Sequence, residues 1–139
     1  MLGYVILGVA ALGIAGFFIF TWLLSSKVIH PMVKNYKDTY RRCVSRKCLD
    51  ENLYNSWNRT DFFIESNYGY NLSCQLLEDD NHESLGEKIK IMVLVHGITW
   101  SKYSSIKYAD MFIKNGFKVL MYDHRNHGLS GKAPTTMGY

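Results

Sequence analysis

The sequence predicts an α/β fold, an antiparallel hairpin leading into one βαβ unit, preceded by one transmembrane helix. Three observations carry this. The first 26 of 139 residues hold no charged side chain. Two nearly unbroken apolar runs rich in β-formers, Ile89 to Val95 and Phe117 to Tyr122, flank a stretch of helical periodicity. Such runs mark strands covered on both faces, as in a parallel sheet. Ahead of them, two segments of strand composition surround a turn. The expected divisions are an anchor at 1–26, a basic juxtamembrane helical segment at 27–58 and a core at 59–139.

Leu2 to Leu24 is 23 residues without a charge. As a helix it would span about 34 Å, enough to cross a hydrocarbon layer of roughly 30 Å. Phe17, Phe18, Phe20 and Trp22 crowd its far end like an interfacial belt. Its glycines have no G-x-x-x-G spacing, so that helix-pairing motif is absent. A cleaved signal peptide would carry a basic start and a shorter apolar stretch. The run fits an uncleaved, single-pass anchor better, with the lipid bilayer as partner.

Residues 25–48 hold seven Lys or Arg against Asp38 alone, a net +6. The remainder is slightly acidic, which argues against a nucleic-acid-binding face on the core. Basic residues beside an apolar segment mark its cytoplasmic side, so residues 25–139 are expected in the cytoplasm. The Asn58-Arg59-Thr60 and Asn71-Leu72-Ser73 glycosylation patterns are then chance matches. Cys43, Cys48 and Cys74 are too few for a disulfide framework and read as free thiols.

Pro31 suits a helix start, and Val33, Tyr36, Tyr40 and Cys43 recur at helical spacing opposite Lys34, Lys37 and Arg41. This amphipathic helix has two readings. Its basic stripe contacts anionic lipid headgroups, or its Tyr/Val face packs on the core while the charges are merely solvated.

In the core, Asp61 to Ser66 and Leu72 to Leu77 are the hairpin strands, and Glu78 to Glu87 is a polar loop. Ile89 to Val95 is the next strand, ended by His96-Gly97. Ser104 and Ser105 are candidate caps for a helix with Ile106, Ala109 and Ile113 on one side, widened by Tyr108, Met111 and Phe112. Asn115-Gly116 ends it, and Phe117 to Tyr122 is a second buried strand.

That last strand runs into Asp123-His124-Arg125-Asn126-His127-Gly128-Leu129-Ser130-Gly131. The ordered pair, HG after one strand and D-x-R-x-H-G-x-S after the next, resembles the α/β-hydrolase superfamily. Membrane-anchored bacterial hydrolases of the lipase, esterase and serine-peptidase type look most similar. The resemblance covers residues 60–139 and implies the N-terminal half of such a sheet. It also implies that the backbone N–H of Ile98 is half of an oxyanion hole, that Gly97 admits the substrate, and that His96 orients the loop without acting as the base. Asp123, Arg125, His127 and Gly128 are implied to be structural, Arg125 by pairing with a carboxylate and Gly128 by making a tight turn.

The nucleophile motif G-x-S-x-G does not occur, and Gly128-Leu129-Ser130-Gly131-Lys132 follows the wrong strand. The resemblance therefore implies a triad beyond Tyr139 and a truncated core. Its parent would act on a small-molecule acyl substrate, an ester, amide or lipid. No cofactor or metal is expected. His124 and His127 lack helical zinc spacing, and Gly131-Lys132 lacks the rest of a phosphate loop. The other reading is a non-catalytic, membrane-tethered binding or scaffold module.

Overall fold

The computed structural model describes residues 1–29, 32–79 and 89–133. The chain divides into two compact units, one built on Met1–Met32 and the other on Val33–Pro134.

The first unit is a single helix, α1 (Leu2–Ile29), which runs five residues past the apolar stretch. Its span Leu2–Val28 has mean hydropathy 2.3, and none of it is buried. A helix satisfies its own backbone polar groups, so it can sit in hydrocarbon. By length and composition α1 fits a membrane span, and a signal segment would pass the same test.

The second unit opens with α2 (Tyr36–Ser45) and α3 (Glu51–Ser56). Pro31 lies outside the described residues. Helix α2 starts later than that proline suggests, because the Asn35 side chain accepts from Lys37 N–H and caps it. Asp50 caps α3 by accepting from the N–H groups of Asn52 and Leu53. Thr39 and Cys43 are buried, and the rings of Tyr36, Tyr40 and Tyr54 surround Tyr103 at 5.0–6.1 Å. The tyrosine face of α2 thus packs on the core, which leaves the basic stripe outside.

Four strands form the sheet among the described residues: β1 (Asn58–Glu65), β2 (Asn71–Glu78), β3 (Lys90–Leu94) and β4 (Phe117–Tyr122), in the order β1-β2-β4-β3. The hairpin β1–β2 turns at Gly69, whose φ of +77° suits glycine. Most of the polar loop foreseen after β2, residues 80–88, falls outside the described residues. Strand β2 pairs antiparallel with β4, and β3 pairs parallel with β4, as a βαβ unit requires.

The crossover differs from its sequence reading. It starts as a 3-10 helix (Lys102–Tyr108) and becomes α4 only at Ala109–Ile113. Ser104 and Ser105 do not cap it. The first N–H, that of Lys102, is accepted by Asp123 at the end of β4. Ile106, Ala109 and Ile113 are buried as their spacing implied, but Tyr108 and Met111 are exposed. Gly116, at φ +81°, closes the helix.

Side chains alternate across a sheet, so Leu77, Val119 and Met92 share one face with Met121 and Leu94. Helices cover this face, and Leu77, Val119 and Met121 are fully buried. On the other face Ile91 and Val93 remain 53% and 48% exposed. The expectation of strands covered on both faces therefore fails for β3. An apolar run reports what a strand can bury, and the described residues supply a cover for one side only.

Val119→Ala and Val93→Ala make the same chemical change on opposite faces. The first should cost about 2 kcal/mol in denaturant unfolding of the full chain, and the second under ~0.5 kcal/mol. Equal losses would show that the two faces are equally covered.

Candidate functional site

The two loops at the C-terminal ends of β3 and β4 lie together and are joined by three histidines. His96, at the end of β3, is buried. Its Nε2 accepts from the backbone N–H of His124 at 2.9 Å, so Nδ1 carries the proton and donates to Gly97 O at 2.8 Å. His124 answers by donating from Nε2 to His96 O at 3.1 Å. His127 is also buried, and its Nε2 accepts from Thr99 N–H at 3.2 Å while Nδ1 donates to Arg125 O at 2.9 Å. Nε2 is thus the accepting nitrogen of both His96 and His127, and Nδ1 carries their proton. Burial pushes the His96 imidazole down to about 4 and lowers that of His124 as well.

Asp123 anchors the pair of loops from below. Its side chain is fully buried, with Oδ1 accepting from Lys102 N–H at 2.7 Å and Oδ2 from Leu129 N–H at 3.1 Å. Burial raises its carboxyl above the usual range, and the two N–H groups and Lys102 oppose that only in part. Gly128 is packed against this carboxylate. Its φ is +53°, and a Cβ there would collide with the Asp123 carboxyl group. Both conformation and space therefore call for glycine at position 128.

Ser130 is held from two sides, donating from Oγ to Asp123 O and accepting from Ser73 N–H. Both its proton and a lone pair are committed to backbone. Lys102 is a buried ammonium that the sequence reading did not single out. It donates to Ser73 Oγ at 3.0 Å and lies 3.8 Å from the Asp61 carboxylate. A lysine in a helical stretch carries no sequence signal of burial, since only the tertiary arrangement of Asp123 and Ser73 draws it in.

Between these fixed points lies the loop Gly97 to Trp100. Gly97 O accepts from Trp100 N–H as well as from His96. Thr99 has φ +70°, a left-handed conformation that costs a β-branched residue energy. It is held there by His127 on its N–H and by Lys34 N–H on its carbonyl. Thr99 carried no signal in the sequence, and Lys34 was readable there only as part of a basic stripe. The N–H of Ile98 has no partner among the described residues, and the Ile98 side chain is about half exposed. A Cβ built on Gly97 would meet nothing within 4 Å. The arrangement offers one uncommitted donor in a loop whose neighbours are pinned. Among the described residues no group of three His, Cys, Asp or Glu side chains could hold a metal ion.

No protein-family model matches the chain. It is 33% identical over 86 residues to the uncharacterized protein YqkD of Bacillus subtilis, covering 62% of this chain and 26% of that one. Among solved structures it is similar to hypothetical protein PA2218 of Pseudomonas aeruginosa, with a TM-score of 0.50 and 24% identity over 60% of this chain and 26% of the other. Pyrococcus furiosus esterase Pf2001 matches with a TM-score of 0.46 and 29% identity, over 60% of this chain and 32% of the other. The chain thus spans about a quarter of the length of YqkD and of PA2218. The mixed sheet and its flanking helices resemble part of an α/β-hydrolase fold.

His96 stays neutral in the native state down to about pH 4, whereas an unfolded histidine titrates near 6.5. Unfolding between those values takes up a proton, so acid favours the unfolded chain. Stability should fall as pH drops from about 6.5 to about 4, by roughly 3 kcal/mol from this ring. Asp123, with its raised carboxyl, offsets part of this at the acid end. Histidine NMR should show the His96 ring unprotonated at pH 5, and the pH slope of thermal unfolding should shrink in His96→Gln. A His96 ring that titrates near pH 6.5 would contradict the neutral interlock.

Proposed function

We propose that this chain is the N-terminal portion of a membrane-anchored serine hydrolase acting on ester, amide or lipid acyl groups. The observation that carries this reading is the Ile98 N–H, left without a partner among the described residues in a loop fixed on either side by His96 and His127. Attack by a serine places negative charge on the substrate's carbonyl oxygen. A pre-aimed N–H lowers that barrier because it needs no reorganisation, and removing one such donor costs about 2.7–4 kcal/mol.

Gly97 supports the same role. Its φ is not left-handed and no described atom crowds its missing Cβ, so neither conformation nor packing calls for glycine there. An acyl group passing over the loop would. His96 and His127 shape the loop and do not act as the base, since both ring nitrogens of each are engaged. The nucleophile, acid and catalytic histidine would come from further sequence of the same protein. That further sequence would also cover Ile91 and Val93 on the bare face of β3. We read α1 as an uncleaved single-pass anchor in the bilayer, with the basic residues 27–48 holding the core on the cytoplasmic side.

A fluorophosphonate probe should label no serine in the purified 139-residue chain. The chain extended by its coding sequence through a G-x-S-x-G motif should be labelled at the motif serine. In that longer protein Ile98→Pro, which deletes the N–H, should lower kcat about 10²–10³-fold with little change in KM. Labelling of the short chain at one serine, or downstream sequence without the motif, overturns the proposal.

A further inference from the structure

The packing of α2 on the core leaves a concave surface on its basic side. Lys34, Arg41 and Arg42 line an open groove of about 460 Å³ with Asn35, Asp38 and Ser45. Three cations face one carboxylate there, and none of them takes part in an ion pair among the described residues. Lys34 Nζ lies 3.9 Å from the centre of the Trp100 ring, and the Arg42 guanidinium 5.8 Å from the same ring. Two like charges therefore lie close to one aromatic ring, and neither is ion-paired among the described residues. A ring can favour each cation, but it does not cancel their mutual repulsion. A phosphate would, and Arg offers it a two-pronged donor.

We propose that this groove binds the phosphate of an anionic phospholipid headgroup. The site of the charges decides between lipid and soluble phosphate. Lys34 follows Ile29, the last residue of α1, by five residues, a tether of at most ~18 Å. With α1 in a bilayer, headgroup phosphates are presented to that tether at high local concentration. Trp100 beside the cations is also the residue type that settles at the headgroup level. The opposite side of α2 is already occupied, with Thr39 and Cys43 buried against the core. The inference rests on reading α1 as an uncleaved anchor and is independent of hydrolase chemistry.

Headgroup capture would act on more than attachment. The backbone N–H of Lys34 donates to Thr99 O at 3.2 Å, so the first cation of the groove is bonded to the loop that carries Ile98. A lipid that orders Lys34 also fixes the carbonyl side of Thr99, while His127 fixes its N–H side.

Native mass spectrometry of the full chain in nonionic micelles tests this, with phosphatidylglycerol, phosphatidylcholine and inorganic phosphate as probes. Phosphatidylglycerol should be retained as one saturable adduct, phosphatidylcholine should not, and millimolar phosphate should not displace the lipid. Lys34→Gln/Arg42→Gln should weaken retention about 30-fold, from ~1 kcal/mol per basic residue. Lys107→Gln/Lys132→Gln removes the same charge elsewhere and should change it less than about 3-fold. If the first pair unfolds by circular dichroism, Arg41→Gln alone should give about a 5-fold loss. Equal retention of phosphatidylcholine, an equal loss in the control pair, or displacement by phosphate overturns the proposal. The intact mass reports separately whether α1 is retained, and fluorophosphonate labelling separately tests the hydrolase reading.

Discussion

The fully buried carboxylate of Asp123 is the constraint on which the candidate site depends. It stands at the end of β4, yet it supplies the first hydrogen bond of the crossover helix through Lys102 N–H and closes the following turn through Leu129 N–H. A buried acid is costly unless its lone pairs are used, and here two backbone donors converge on it. Both sequence neighbours of the site are therefore positioned from one point. Gly128 completes the arrangement because any side chain there would collide with the carboxylate.

The histidines add a second constraint, made between loops. His96 and His124 exchange bonds through ring and backbone, and His127 reaches across to Thr99. Two of these bonds end on an accepting ring nitrogen, Nε2 of His96 and Nε2 of His127, so they form only while that nitrogen carries no proton. Charged rings would turn acceptors into donors and set N–H against N–H. The strain at Thr99 persists because two partners hold it, and the result is a pinned loop with the Ile98 N–H unspent.

Local patterns were legible in the sequence, and contacts between distant segments were not. The strands β2 and β4 follow from their composition of β-formers, and the stripe Ile106, Ala109, Ile113 from helical periodicity. The His96-Gly97 and Asp123–Gly131 segments could be singled out by composition and order. The helix cap could not, since it comes from Asp123, 21 residues after Lys102, while Ser101, its nearest local candidate, is engaged with Thr39. The burial of Lys102 and the Lys34–Thr99 bond are of the same kind. The coverage of β3 was misread because apolar content says nothing about which face finds a partner among the described residues.

The sheet is asymmetric between its loop end and its β3 face. Its loop end is finished: His96, Lys102, Asp123 and His127 are all buried, and their bonds close among the described residues. The β3 face is not, with Ile91, Val93 and Val95 about half exposed. An exposed apolar face on an edge strand is a liability that a stable protein covers. The loop geometry does not depend on that cover, because every residue that pins Thr99 and Asp123 belongs to the covered side or to the loops themselves. The uncommitted N–H is thus prepared by the part of the fold that is complete. Whatever packs on the bare face of β3 would meet a donor already in place, as the proposed oxyanion role needs.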